Sequence, residues 1–222
     1  SVKYDTIQDV IQAINSYNGE VYLAKSDIAN AFRIVPVHPE DYPLLGLEWE
    51  GKWYYDRCLP MGCSMSCALF TKISSALQWM VTKACPGVQV SKVLDDFLFI
   101  AGSKQKCKYG LETFKSICGE IGIPLAADKT VEPCKVIEFL GITLDTVKKE
   151  ARLPKDKLER CIAEIQSMLK CKKVTLKKLQ SLLGLLNFAN TVVLPARPFL
   201  RRLYDLTVKL TKPYHHVRLS HD

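Results

Sequence analysis

The chain has 222 residues, 48% hydrophobic and 24% charged, with a formal net charge of +8, which excludes a disordered or fibrous chain and suits a globular one able to build its own core. The charge is uneven: from Lys148 onward there are 17 Lys and Arg against 6 Asp and Glu, and before it 14 against 17. An acidic body joined to a basic C-terminal third suits a cation site beside a surface for a polyanion.

Residues 4–17 place Ile7, Val10, Ile11, Ile14 and Tyr17 at helical spacing, and Gly19 ends that run. EVYLAKSDI (20–28) alternates like a strand, and Pro36, Pro39 and Pro43 exclude a helix through the stretch that follows. LGLEWEGKWYYDRCL reads as a hairpin turning near Glu50-Gly51. SCALFTKISSALQWMVTK (66–83) is a long helix, closed by a turn at Pro86-Gly87.

Two short strands come next, 88–94 and 97–101, separated only by Asp95 and Asp96. Residues 103–122 form an amphipathic helix capped by Ser103 and stopped by glycines, and KVIEFLGITLD (135–145) is a further strand. The resulting order is the split βαββαβ arrangement, an antiparallel sheet with helices on one face, hence an α+β fold. Beyond Pro154 only helices are expected, over 155–170, 175–190 and a shorter one after Pro195, so a boundary falls near 146–154. No apolar run reaches the roughly 18 residues of a membrane span. The opening SVKYDTIQDV does not read as a signal peptide, so the expectation is an intracellular protein, cytoplasmic or nuclear. The nine scattered cysteines contain no C-x-x-C pair and read as reduced thiols.

The stretch SKVLDDFLFIAG sets Asp95 and Asp96 inside an apolar run. Carboxylates are seldom placed so unless they are paired or bind a metal. In a βαββαβ sheet Asp27 ends the strand beside them, and three carboxylates converge on one sheet edge. Left alone, such a cluster raises its own pKa values, a cost that divalent cations remove. Hard oxygen ligands with open positions suit Mg²⁺ that also holds phosphate oxygens. Two such ions roughly 3.5–4 Å apart serve phosphoryl transfer.

With these residues in place, the chain resembles a reverse transcriptase, most closely those of retrotransposons that carry a tyrosine recombinase. LAKSDIANAFRIVPVHPED is similar to the first palm carboxylate motif, CLPMGCSMSCALFTK to the template- and nucleotide-contacting motif, and VLDDFLFIAG to the paired-Asp motif. GIPLAADKT resembles the lysine motif, IEFLGITLDT the primer grip, and LQSLLGLLNFAN with LPARPFLRRL the start of the thumb. The resemblance implies a palm with residual fingers elements over 1–146 and a helical thumb over 147–222.

It further implies that Asp27, Asp95 and Asp96 are metal ligands for two Mg²⁺ ions, with Mn²⁺ as a substitute, and that the Ile28 backbone carbonyl is a further ligand. Ala31 and Phe32 fall at the nucleotide site, the Phe32 ring excluding a 2′-hydroxyl, and Met61 and Gly62 lie against the nascent base pair. Lys129 matches the lysine that protonates departing pyrophosphate. Phe139, Leu140 and Gly141 match the turn that holds the primer, and Lys172, Lys173, Lys177, Lys178, Arg201 and Arg202 the thumb contacts to duplex phosphates. The implied partners are an RNA or DNA template with its primer, a dNTP, and the fingers and RNase H segments of a longer polyprotein, with no membrane. Two positions depart from the family pattern: Ser64 stands where a basic residue is usual, and Cys67 where Pro is usual. Two other classes remain open at this stage: a non-catalytic nucleic-acid-binding module, and another two-metal palm enzyme such as a nucleotide cyclase, which leaves the basic tail unexplained.

Overall fold

A computed structural model describes residues 3–208, 210 and 212–219. It divides into two compact units, one of residues 1–139 with 145–150 and one of residues 140–144 with 151–222.

The first unit begins with α1 (Ile7–Asn15), held by a capping box in which the Thr6 hydroxyl accepts from Asp9 N–H and the Asp9 carboxylate accepts from Thr6 N–H. β1 (Tyr22–Asp27) follows, then the hairpin β2 (Gly46–Trp49) and β3 (Lys52–Tyr55), α2 (Ser64–Ala84), β4 (Val88–Val93), β5 (Asp96–Ala101), α3 (Lys104–Glu120) and β6 (Val131–Cys134). The strands β4-β5-β1-β6 form one antiparallel sheet in that order. Phe70, Leu77 and Val81 of α2 and Leu111, Phe114 and Cys118 of α3 bury one sheet face, against Ala24, Phe97 and Phe99. Each large side chain so buried contributes about 1.5–3 kcal/mol. Helix α3 rides close over β4: a Cβ on Gly110 would lie only 2.8 Å from Val88 Cγ1.

Three sequence expectations need correction here. The proline-rich stretch is not free of helix, because short 3₁₀ turns form over Ala31–Ile34 and Pro39–Leu45. Pro39 stands at the start of the second, where no N–H bond is lost, and a 3₁₀ turn needs few such bonds. The expected strand 135–145 is two strands, β7 (Val136–Phe139) and β8 (Ile142–Asp145), broken by the positive φ of Leu140 and Gly141. The fourth strand of the main sheet is β6, whose Pro133 hid it from a pattern reading although a sheet-edge strand tolerates proline. With β9 (Glu150–Arg152), β7 and β8 form a three-stranded sheet.

The second unit carries α4 (Lys155–Leu169), β10 (Lys173–Thr175), α5 (Leu176–Ala189), α6 (Arg197–Asp205) and β11 (His216–Arg218). The β10-β11 pair interrupts the all-helical expectation. Its core joins Met168, Val174, Leu179, Leu182, Leu183 and Val217. Among the described residues no helix is long and apolar enough to cross a membrane.

Candidate active site

The site grows from the ends of three strands of the first unit. Asp27 closes β1 and stands directly opposite Asp96, the first residue of β5, in antiparallel register. Like charges facing each other across two strands destabilise a sheet. The two-residue turn from β4 to β5 consists of Leu94 and Asp95, with Leu94 at φ 55°, a left-handed conformation uncommon and strained for a bulky side chain. Asp95 thus lies in the turn and Asp96 within the strand, one residue from the sequence reading. The Asp95 carbonyl accepts from Ile28 N–H at 3.0 Å, tying the turn to the end of β1.

Charge and burial act together at this edge. Burial raises the Asp96 carboxyl to about 6, with the charges of Asp27 and Asp95 adding and those of Lys25 and Lys129 opposing. Burial likewise raises Asp95, with Asp27 adding and Lys129 opposing. Lys129 Nζ donates to Asp27 Oδ1 at 3.1 Å, and that hydrogen bond raises the lysine's own pKa.

These carboxylates are hard oxygen donors whose mutual repulsion a divalent cation would relieve, so the donor set fits one. Among the described residues no group of three or more His, Cys, Asp or Glu is placed to hold a metal ion. At Asp27 the cation present is the Lys129 ammonium. Lys25 escaped the sequence reading although its signal was available, since residues two apart on a strand share a face and Lys25 precedes Asp27 by two.

The other expected residues fall around this edge or elsewhere. Ile28 is buried, and Ala31 and Phe32 pack half-buried against the core, Phe32 edge-on to Phe70 with ring centroids 5.5 Å apart. Met61 is 79% exposed, and Gly62 beside it has φ +87° with open space where a Cβ would be. Phe139 is buried at the end of β7, whereas Leu140 and Gly141 belong to the second unit. Lys172, Lys173, Lys177, Arg201 and Arg202 are exposed on the second unit, and Lys178 is half-buried, donating to Ser167 Oγ at 3.0 Å. Arg201 is paired with Asp205 on α6 at 3.3 Å.

The family model described as reverse transcriptase (RNA-dependent DNA polymerase) matches residues 2–144. The Pro-Pol polyprotein of feline foamy virus is 30% identical over 201 residues, 90% of this chain and 16% of that polyprotein. The Pro-Pol polyprotein of simian foamy virus type 1 is 32% identical over 190 residues, 86% of this chain and 15% of the relative. The chain therefore spans 15–16% of the length of these polyproteins. Among solved structures, the foamy viral protease-reverse transcriptase in complex with an RNA/DNA hybrid matches at 25% identity and a TM-score of 0.70, over 90% of this chain and 25% of that one. A foamy viral protease-reverse transcriptase in complex with double-stranded DNA shares the fold over 100% of this chain and 36% of its own, with a TM-score of 0.73 and 23% identity. With most of its length matched by the family model, and with Asp27 facing Asp96 beside the Asp95 turn, this chain belongs to the reverse transcriptase family.

Proposed function

We propose that the chain is the core of an RNA-directed DNA polymerase, which joins a deoxynucleotide to a primer 3′-hydroxyl on a nucleic-acid template. The observation that carries this reading is the register that sets Asp27 opposite Asp96, with Asp95 in the adjoining turn. The family uses divalent metal ions. In this reading Asp27, Asp95, Asp96 and the Ile28 carbonyl hold two Mg²⁺ ions, for which Mn²⁺ can substitute. Bound there, they supply Lewis-acid stabilisation of phosphate oxygens and a lowered pKa for the attacking hydroxyl.

The chain's own residues do the rest. Phe32, seated on Phe70, walls the sugar of the nucleotide beside Ala31 and excludes a 2′-hydroxyl. Exposed Met61 and Gly62 leave room for a base pair to approach the backbone. Lys129 gives its proton to the pyrophosphate leaving group. Phe139, Leu140 and Gly141 hold the primer strand. Lys172, Lys173, Lys177, Lys178, Arg201 and Arg202 neutralise duplex phosphates. Residues 1–146 serve as palm with fingers elements and 147–222 as thumb, within a longer intracellular polyprotein that supplies the remaining fingers and an RNase H. The motifs quoted above support a parent retrotransposon of the tyrosine-recombinase type.

The test is incorporation of labelled dTTP on a poly(rA) template primed with oligo(dT), comparing the wild type with Asp95→Asn. Extension by the wild type alone is expected, and equal extension by both rules this site out. A second reading, a nucleic-acid-binding module without catalysis, is favoured by Ser64 and Cys67 standing where the family has a basic residue and Pro. It predicts salt-sensitive binding of primer–template with no extension by either protein.

A further inference from the structure

Asp27 and Lys129 are held together by the backbone around them as well as by their charges. Lys129 ends a short 3₁₀ turn, Ala127–Lys129, that is fastened to the end of β1. Ala126 N–H donates to the Asp27 carbonyl at 2.8 Å, Thr130 Oγ1 donates to Ala126 O at 3.1 Å, and the Thr130 and Ser26 hydroxyls lie 3.3 Å apart. The ammonium is therefore presented to the Asp27 carboxylate by a turn built on the same strand.

The two partners differ in freedom. The Asp27 side chain is 14% exposed and the Lys129 side chain 57%. One is a short side chain largely buried at the end of a strand and the other a long, mostly exposed stem, so the lysine is the partner that can leave. A single ammonium thus offsets part of the repulsion at the edge where Asp27 faces Asp96 beside the Asp95 turn.

We propose that Lys129 is an internal counter-cation: it occupies Asp27 while no metal is bound and leaves that carboxylate when a divalent cation takes it. The proposal rests on the reading of Asp27, Asp95 and Asp96 as metal ligands. An ammonium and a dication on one carboxylate repel each other, so loading the site requires Lys129 to move. The lysine then has two positions, and metal binding selects between them. Metal affinity is lowered by the competition, and the ion pair stabilises the unloaded site.

The experiment is Mn²⁺ binding to the nucleic-acid-free chain, followed by loss of the free-ion electron paramagnetic resonance signal. The proteins are the wild type, Lys129→Met, Lys129→Gln, Lys129→Arg, and an Asp95→Asn/Asp96→Asn control, each checked for folding by its thermal transition. The two uncharged variants should bind Mn²⁺ about three- to five-fold more tightly than the wild type, and Lys129→Arg about as the wild type does. In chelator both uncharged variants should melt below the wild type, and Mn²⁺ should raise their melting temperatures by more. Equal or weaker Mn²⁺ binding by the uncharged variants, with binding lost in the Asp control, overturns the counter-cation role and leaves the metal site standing. Binding no tighter in the wild type than in the Asp control overturns the metal-site reading, and this proposal with it.

Discussion

Lys157 Nζ donates to the Gly141 carbonyl at 3.0 Å, and the same ammonium lies 5.1 Å from the centroid of the Phe188 ring. One lysine on α4 thereby fixes the turn that follows Phe139 and reaches α5 as well. Leu140 and Gly141 both have positive φ, 50° and 73°, the pairing a tight two-residue turn between antiparallel strands demands. A Cβ on Gly141 would collide with Lys157 Nζ and lie 3.1 Å from Phe188 Cζ. Gly141→Ala should therefore cost about 1–2 kcal/mol from the left-handed backbone alone, and more from displacing the lysine. In a Lys157→Met background the second part should disappear, leaving the two substitutions non-additive by about 0.5 kcal/mol or more in urea denaturation. Strict additivity would mean that the lysine does not hold this turn.

Asp96 gives a pH dependence whose sign follows from its neighbours. Its carboxyl is raised from the ordinary 3.8 to about 6, mainly by burial. Between those values the folded chain keeps a proton that the unfolded chain has lost, so this group's contribution to stability falls as pH rises. Asp96→Asn removes the charge. In chelator it should leave stability near that of the wild type at pH 4 and exceed it by about 2 kcal/mol at pH 7, after allowance for solvent screening. Added Mg²⁺ should narrow the gap by stabilising only the wild type. A gap that is constant with pH would show that the Asp96 carboxyl is not raised.

Asn190 poses a different problem in the second unit. It is 4% exposed, and neither its carboxamide nitrogen nor its oxygen has a hydrogen-bond partner. It lines a largely apolar cavity of about 810 Å³ together with Leu158, Ile165, Leu186 and Leu203. A buried amide without partners costs about 1–3 kcal/mol, which a side chain of similar size and no polar atoms avoids. Asn190→Leu should raise the urea midpoint at unchanged slope, by about 1 kcal/mol of stability or more. A lowered midpoint would mean that the carboxamide is hydrogen-bonded inside the cavity.

Much of the sheet could be read from the chain, for physical reasons that also explain the failures. Alternation over 20–28 and the apolar runs flanking Asp95-Asp96 gave the three strands that carry the carboxylates, because strands buried on one or both faces leave a strong pattern. The strand Val131–Cys134 left none: it is four residues long, holds Pro133, and pairs with β1 through an irregular register. The break at Leu140-Gly141 was hidden from the apolar pattern, since FLGI reads as continuous strand, and only the resemblance to a primer-holding turn pointed to it. The β10-β11 pair was equally silent, two three-residue strands more than 40 residues apart, each with one buried residue. At the site the acidic residues declared themselves by their apolar surroundings. The pairing of Asp27 with Lys129, 102 residues away, depends on side-chain placement that no spacing encodes.

Single-nucleotide incorporation tests the central claim most directly: a primer–template, one dNTP and Mg²⁺, with primer extension and pyrophosphate release followed in the same sample. Nucleotidyl transfer at Asp27, Asp95 and Asp96 predicts one pyrophosphate per nucleotide added by the wild type. Asp27→Asn and Asp96→Asn should lower the rate by about 10³-fold or more, a loss of the size that follows removal of electrostatic transition-state stabilisation, while still binding the primer–template. Extension at the wild-type rate by either variant would contradict the account.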